Sequence, residues 1–429
     1  MPERILDVAI VGAGIAGVID LDYARRAGLD ALVFDRQSGV GGLWRQLPAW
    51  QDIQIRLVDW TLGDIPLDGP TQPHIQANIE AWVDRFGLAD GLRLDCAVHR
   101  ARHTGNCWEL DTAGGTVRAR HLVAASGAHN RPIVPDVPRL HSAVRELHSG
   151  ALRDPTELAG REVIAVGGGA SAFDLLDQCL EHAARRIVWL HRGPRWFMPT
   201  HKPKHVAGSS RPYARMQAQE LSVEQQNAVI GADLVGRYEK FGIQAIQPAR
   251  PWDVRHDQLI PGRARMLADF ERLEQHTGSV AGVDGRQVLL TDGTRLEAQV
   301  LLWGTGYGVS LPYFEDPRIS SIGTLGELRT HCGGIFRSLD APDLYFPSVF
   351  LDGIGSTAFD VSLIARSIMP HVRGAARLDK VPTRHNLNHL DIARYLAQRD
   401  PGSFPEGRGW DHIRQLALNT PEEQPYPFL

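Results

Sequence analysis

Six residues near the start of the chain, Gly12-Ala13-Gly14-Ile15-Ala16-Gly17, have the types and spacing to hold a pyrophosphate. Gly12 permits a tight turn and Gly14 carries no Cβ to block an approaching phosphate. Gly17 lets a helix pack closely on the strand before it. A helix starting there offers unpaired N–H groups, which makes Ile15 and Ala16 binding candidates through their backbone. Asp35, 18 positions past Gly17 and followed by Arg36, can accept hydrogen bonds from ribose hydroxyls. The pattern returns at Gly167-Gly168-Gly169-Ala170-Ser171-Ala172, where the following strand ends in His191-Arg192 with no carboxylate. A carboxylate would repel a 2′-phosphate and a guanidinium can pair with it, so this second turn favours NADPH over NADH. Arg195, Lys202 and Lys204 are nearby additional cations. Two dinucleotide turns in one chain point to hydride passing from a nicotinamide to a flavin.

Such turns need strand–turn–helix–strand units to position them. Ile5–Val11 is an apolar, β-branched run suited to a buried parallel strand, and Ala31–Phe34 follows after a helical stretch ending near Gly28. Trp108–Thr112 and Thr116–Arg120 flank a hairpin turn, and His121–Gly127 reads as another buried strand. Pro132, Pro135 and Pro138 mark a crossing between domains. Val163–Val166, Phe173–Ala184 and Ile187–Leu190 then repeat the opening unit. A late strand pair around Asp292-Gly293 leads into Val300–Tyr307, which by analogy with Ser126-Gly127 re-enters the first domain. The expected fold class is α/β, with two Rossmann-like dinucleotide-binding domains. An NADPH domain, 149–299, is inserted into a discontinuous FAD domain, 1–148 and 300–429. Residues 205–270 lack the βαβ rhythm, and helices at Val223–Phe241 and Ala264–Glu274 are expected to cap a substrate pocket.

Length and composition limit the alternatives. The chain has 429 residues, 43% hydrophobic and 22% charged, a globular balance for about two or three domains. With 46 Lys and Arg against 50 Asp and Glu, the net charge of −4 gives no electrostatic footprint for nucleic acid. The four cysteines form no CxxC pair, which argues against a zinc ribbon, a disulfide framework and a redox dithiol. No apolar run approaches a membrane span, so a soluble, cytoplasmic protein is expected. No Ser/His/Asp or Cys/His nucleophile arrangement and no metal site is evident. A small substrate could meet Trp50, Trp60, Trp252 or Phe359.

Taken in order, the motifs resemble the flavin-containing monooxygenase family over nearly the whole chain. Gly12-x-Gly14-x-x-Gly17 resembles its FAD fingerprint, Gly41-Gly42-Leu43-Trp44 its GGxW stretch, and Gly167-x-Gly169-x-x-Ala172 its NADPH fingerprint. Ser126-Gly127 before Pro132 and Pro135 is similar to its first crossing, and Gly304-Thr305-Gly306-Tyr307 to its ATGY element with Gly for Ala. Arg192 to Pro199 and Leu344 to Gly355 complete the series. Two departures stand out. His148 lacks the surrounding FxGxxxHxxxY/F residues, with Ser142, Val144 and Leu152 in their places, and Arg56 stands where relatives often carry an asparagine near the flavin. Both are candidate catalytic residues. The resemblance implies cofactor contacts at the first turn and at Asp35, Arg36, Gly42, Leu43, Trp44, Val98, Ser126 and Gly127. It implies others at Gly167, Gly169, Ala170, Ser171, Ala172, Arg192, Thr305 and Gly306. It also implies a class B monooxygenase that takes FAD, NADPH and O₂, forms a flavin C4a-(hydro)peroxide, and oxygenates a small molecule. N-oxygenation of an amine is favoured over S-oxygenation or Baeyer–Villiger insertion, because the tryptophan typical of the latter enzymes after the histidine is missing. An NADPH-dependent reductase is the other reading, and the assembly, a homodimer being one option, stays open.

Overall fold

A computed structural model describes residues 4–53, 57–60, 65–199, 215–216, 218–257, 260–332, 337–341, 343–347, 349, 358–375, 389–399 and 409–420. The opening apolar run forms strand β1 (Ile5–Val11), followed by helix α1 (Ile15–Arg26) and strand β2 (Ala31–Phe34). Helices α2 (Leu43–Gln46) and α3 (Gln72–Arg85) precede the short strand β3 (Leu92–Arg93). Strands β4 (Val98–His103), β5 (Trp108–Thr112) and β6 (Gly115–Ala124) form an antiparallel meander. The stretches anticipated at 116–120 and 121–127 are one continuous strand, β6. Its first half pairs with β5 and its second half runs parallel to β1.

The proline-rich crossing starts with β7 (Arg131–Pro132); beyond it lie β8 (Arg139–Leu140), β9 (Arg145–His148) and β10 (Glu162–Val166), then helix α4 (Ala170–Glu181) and β11 (Arg186–His191). Strands β12 (Leu273–Thr277), β13 (Val280–Asp284), β14 (Gln287–Leu290), β15 (Arg295–Glu297), β16 (Val300–Trp303), β17 (Tyr307–Gly308) and β18 (Leu344–Tyr345) complete the set. The first sheet runs β3-β2-β1-β6-β5-β4, with β18 added beside β6, and the second runs β12-β11-β10-β16-β9. In each, the strand before a glycine turn sits between its sequence neighbour and a strand from elsewhere in the chain. That is the topological switch point where open parallel sheets bind ligands.

Two expectations need correction. Val300–Trp303 does not re-enter the first unit; β16 pairs in parallel with β10 and β9, Trp303 standing opposite both Val166 and His148. The second unit therefore begins before 149 and extends past 299. The physical reason is at Gly304. A Cβ there would fall 2.6 Å from Ala172 Cα, and one on Gly167 would fall 2.3 Å from the Gly304 carbonyl oxygen. Gly304 thus serves the second turn as Ala125 serves the first, where a Cβ on Gly12 would meet the Ala125 carbonyl at 2.5 Å. The second correction concerns the stretch Ala264–Glu274. Only Ala264–Ala268 is α-helical, and Glu274 lies in β12, pairing with Val188 of β11.

The helix Val223–Lys240 matches its expected span and begins with a reciprocal Ser222–Gln225 capping box. Gln226, Ile230, Leu234 and Tyr238 form its buried stripe. Ile230, Leu234 and Tyr238 pack with Phe173, Trp189, Trp196 and Phe197 in the core of the second sheet. Arg263, 1% exposed, donates to Asp174 at 2.6 Å and ties the following segment to α4. Removing either partner would strand a buried charge.

The crossing at Gly304 gives a direct test. Gly304→Ala should lower stability by about 1–3 kcal/mol through overpacking. Adding Ala172→Gly should recover less than half, because the closest contact is with the backbone of residue 172. Urea midpoints of the three variants measure this, and an unchanged midpoint for Gly304→Ala would refute the packing argument.

Candidate functional site

Both glycine turns lead into helices whose first turns have no side-chain cap and no acidic residue, with Gly14 and Gly169 at the N-cap positions. Their leading N–H groups therefore remain available to an anion. Packing separates the glycines into two kinds. Gly17 is required by the protein itself, since a Cβ there would fall 1.8 Å from the Gly12 carbonyl oxygen. Gly14 and Gly169 are not. Both have ordinary negative φ, a Cβ on Gly14 would meet nothing nearer than Gly42 Cα at 3.6 Å, and one on Gly169 nothing within 4 Å. The space a side chain would fill lies open in front of each helix, and a dinucleotide pyrophosphate fits there.

A cavity of about 700 Å³ lies at the carboxyl ends of β1, β2 and β6. Gly12, Gly14, Ile15, Ala16, Asp35 and Arg36 line one part of it; Gly42, Leu43 and Trp44 line another. Val98, Ser126, Gly127 and His148 also reach its wall. Gly17 packs behind the turn instead. Asp35 accepts from the Ala13 N–H at 2.5 Å and the Gln37 N–H at 2.8 Å, one bond on each oxygen. It braces the turn and keeps further lone pairs for a ribose. Gly42 approaches the turn closely: a Cβ there would be 2.9 Å from Gly14 Cα. Trp44 meets Trp60 edge-on at 5.7 Å, and Trp60 also lines the cavity. Trp50 instead donates to the Leu152 carbonyl at 2.5 Å, and Trp252 is buried in the second core. Arg56, Lys202, Lys204 and the Phe359 side chain lie outside the described residues.

The second turn is not on this wall, but its sheet is. Strands β9 and β16 end in register; His148 ends β9, Tyr307 follows β16 in β17, and both reach the cavity wall, while β10, next to β16, ends in register with them at the turn 167–169. Ala170 and Ser171 open α4, and Ala172 packs beneath it against Gly304. Arg192 is exposed beyond the end of β11. Arg195 lies closer to the turn, its Cδ 3.6 Å from where a Gly168 Cβ would stand. Thr305 donates to the Ile133 carbonyl, and the Gly306 carbonyl accepts from the Ile133 N–H at 3.0 Å, so both belong to the crossing.

His148 is 7% exposed and held at both ring nitrogens. The Gly150 N–H donates to Nδ1 at 3.2 Å, so Nε2 carries the proton and donates to the Gly306 carbonyl at 2.9 Å. Tyr307 stands edge-on to the ring at 4.8 Å. Burial pushes the imidazole below its ordinary value against a smaller opposing pull from that carbonyl. His148 therefore favours its neutral form and acts as a strut from the end of β9 to the Gly306 carbonyl of the second crossing.

Sequence reasoning missed Asn130, whose side chain donates to the Ser126 and Ser310 carbonyls and accepts from the Ser310 N–H. It also missed Tyr313, whose hydroxyl meets that of Ser126 at 3.0 Å. Neither lies in a spaced motif; only the fold unites positions so far apart in the chain. Among the described residues no group of histidines, cysteines and acids could hold a metal ion, and no helix is long and apolar enough to cross a membrane.

The neutral His148 has a pH consequence. Its native pKa lies below the unfolded value of 6.5, so the unfolded chain binds more protons beneath that pH. The stability this residue contributes is full above 6.5 and declines as pH falls toward the native pKa. Buried His191 and half-buried His121 and His331 are shifted the same way. Urea midpoints measured from pH 7.5 to 5.5 should fall, and less steeply in His148→Gln; equal slopes would contradict the strut.

Known proteins agree with this architecture. Residues 9–240, more than half the chain, match the family described as pyridine nucleotide-disulphide oxidoreductase. A Baeyer-Villiger monooxygenase of Streptomyces coelicolor is 27% identical over 71% of this chain and 64% of its own length. The chain spans less than two thirds of the curated relatives that head its matches. The flavin-containing monooxygenase of Stenotrophomonas maltophilia superposes with a TM-score of 0.61 at 17% identity, covering 86% of this chain and 99% of that one. The OTEMO complex with FAD and NADP gives 0.66 at 14% identity, over 87% of this chain and 85% of that one. The likeness to flavin-containing monooxygenases drawn from the motifs thus extends to the fold, and the chain belongs to the pyridine nucleotide-disulphide oxidoreductase family.

Proposed function

We propose that this protein is an FAD- and NADPH-dependent monooxygenase that places one atom of O₂ on a small organic substrate. The observation that carries this reading is the pair of uncapped helix starts at Gly14 and Gly169, neither glycine required by the protein's own packing. They sit at the switch points of two sheets, each parallel around its glycine turn, and His148 at the end of the second sheet lines the cavity of the first. The FAD and NADP of the OTEMO structure support the assignment of a flavin to the first unit and a nicotinamide to the second. When bound, FAD would accept hydride from NADPH and activate O₂.

The protein's own groups have separate tasks. The Ile15 and Ala16 N–H groups would hold the flavin pyrophosphate, and Asp35 the adenosine ribose, while still bracing the turn. Trp44 and Trp60 would wall the flavin side from water, a requirement when a reactive oxygen species must reach substrate before hydrolysis. The Ala170 and Ser171 N–H groups would hold the second pyrophosphate. Arg192 would pair with the 2′-phosphate and set the preference for NADPH over NADH.

Within this class, N-oxygenation of an amine is the first reaction to expect. The position four beyond His148 holds Leu152, buried in the second core, where Baeyer–Villiger enzymes would carry tryptophan. The Streptomyces relative favours the second reading, oxygen insertion beside a ketone. Supplying amines, sulfides and ketones with isotopically heavy O₂ and NADPH separates them by product mass. A heavy atom in an N-oxide, matched to NADPH consumed, is the expected outcome. NADPH oxidation with no labelled product from any class would overturn the proposal in favour of a reductase.

The flavin site has its own check. Gly14→Val should fold normally, its Cβ being 3.6 Å from the nearest atom, yet emerge colourless. A folded variant with full flavin absorbance would reject that site.

A further inference from the structure

Among the described residues, three carboxylate or guanidinium side chains line the cavity: Asp35, Arg36 and Arg153. Asp35 and Arg36 stand together at the first-unit end, where the carboxylate braces the glycine turn. Arg153 stands at the other end, on the stretch that leaves His148, and shares that wall with Gly150, Ala151 and Tyr307. Its surroundings differ from those of other arginines in this region. Arg139 and Arg145 are each satisfied by a glutamate at 2.7 Å. Arg153 is exposed, and among the described residues no carboxylate pairs with it. Its neighbour Asp154 is committed elsewhere, accepting from the Thr156 N–H at 3.0 Å and the Thr156 hydroxyl at 2.6 Å.

The wall beside it is built around a polar group. A Cβ on Gly150 would fall 2.6 Å from the Tyr307 hydroxyl oxygen, so that position must stay small for the hydroxyl to sit there. Burial raises the pKa of this hydroxyl, and a hydrogen bond with Ser149 and then the charge of Arg153 pull against it. That end of the cavity therefore carries a guanidinium with no carboxylate partner among the described residues, on the same wall as the Tyr307 hydroxyl.

We propose that Arg153 anchors an anionic oxygen group at this end of the cavity, either a carboxylate of the substrate or a phosphate of the nicotinamide coenzyme. The assignment rests on the two-cofactor reading for its ligands, and it deepens that reading by requiring a negative charge at a named place. A planar guanidinium binds either oxyanion through paired N–H donors.

The test uses the full chain as purified, with Arg153→Gln and Arg153→Lys beside it. Quenching of tryptophan fluorescence by benzoate, benzamide, NADP⁺ and NAD⁺ reports affinity without turnover, since Trp44 and Trp60 line the same cavity. If the substrate supplies the anion, the parent binds benzoate more tightly than benzamide. Arg153→Gln then loses about ten- to a hundredfold for benzoate alone, the range expected of a charge-assisted contact. If the coenzyme supplies it, the same variant loses that much for NADP⁺ and NAD⁺ alike, unlike a contact to the 2′-phosphate. Arg153→Lys should retain part of the affinity in either case. Unchanged affinity for all four probes in Arg153→Gln would overturn the anchor. Flavin absorbance of the same samples is read separately. A colourless parent would sink the flavin reading, while the quenching still decides the fate of Arg153.

Discussion

Everything in this molecule depends on how closely a helix can approach the strand that precedes it. At each glycine turn the helix comes so near its strand and the next strand over that one backbone position must do without a Cβ. In the first unit Gly17 gives it up against the Gly12 carbonyl; in the second Gly304 gives it up against Ala172. A similar steric demand is met at different positions. Because it is met, α1 and α4 begin at the sheet edge with their N–H groups aimed outward, and a ligand can lie where strand order reverses.

A second constraint joins the units. The sheet that carries the second turn is completed by β9 and β16, which enter and leave it side by side. Their ends bring His148 and Tyr307 to the cavity of the first unit, so a ligand held there lies beside the end of the second sheet. The imidazole of His148, bonded on both nitrogens, ties the end of β9 to the Gly306 carbonyl there. Among the described residues, Arg153 is the charged side chain that this end of the cavity wall presents.

Much of this was legible in the residues because both turns obey a local rule. Strand, glycine spacing, helix and second strand follow one another without interruption, and each piece is specified by its neighbours in the chain. The first turn, Asp35, the Gly42–Trp44 stretch and the hairpin at 108–120 were found on that basis. The misplacement of Val300–Trp303 has the same origin. A buried apolar strand ending in Gly-x-Gly fits either sheet equally well, and only the contact of Gly304 with Ala172, over a hundred positions apart, decides between them. Asp174 illustrates a further limit. An acid on the inner face of α4 reads as a surface residue until Arg263 from a distant loop comes to neutralise it. Asn130 and Tyr313 escaped notice for the same reason, being satisfied across the crossings.

Those crossings deserve a mechanical reading. Among the described residues, two lengths of backbone that connect the units are not separate tethers. β7 and β17 pair antiparallel, the Asn130 N–H donates to the Gly308 carbonyl at 3.2 Å, and the Asn130 side chain clasps Ser310. A double-stranded ribbon resists stretching and sideways shear far better than it resists torsion. Any swing of one lobe against its companion must therefore twist this strap as a single torsion bar, and a break in either strand would loosen both.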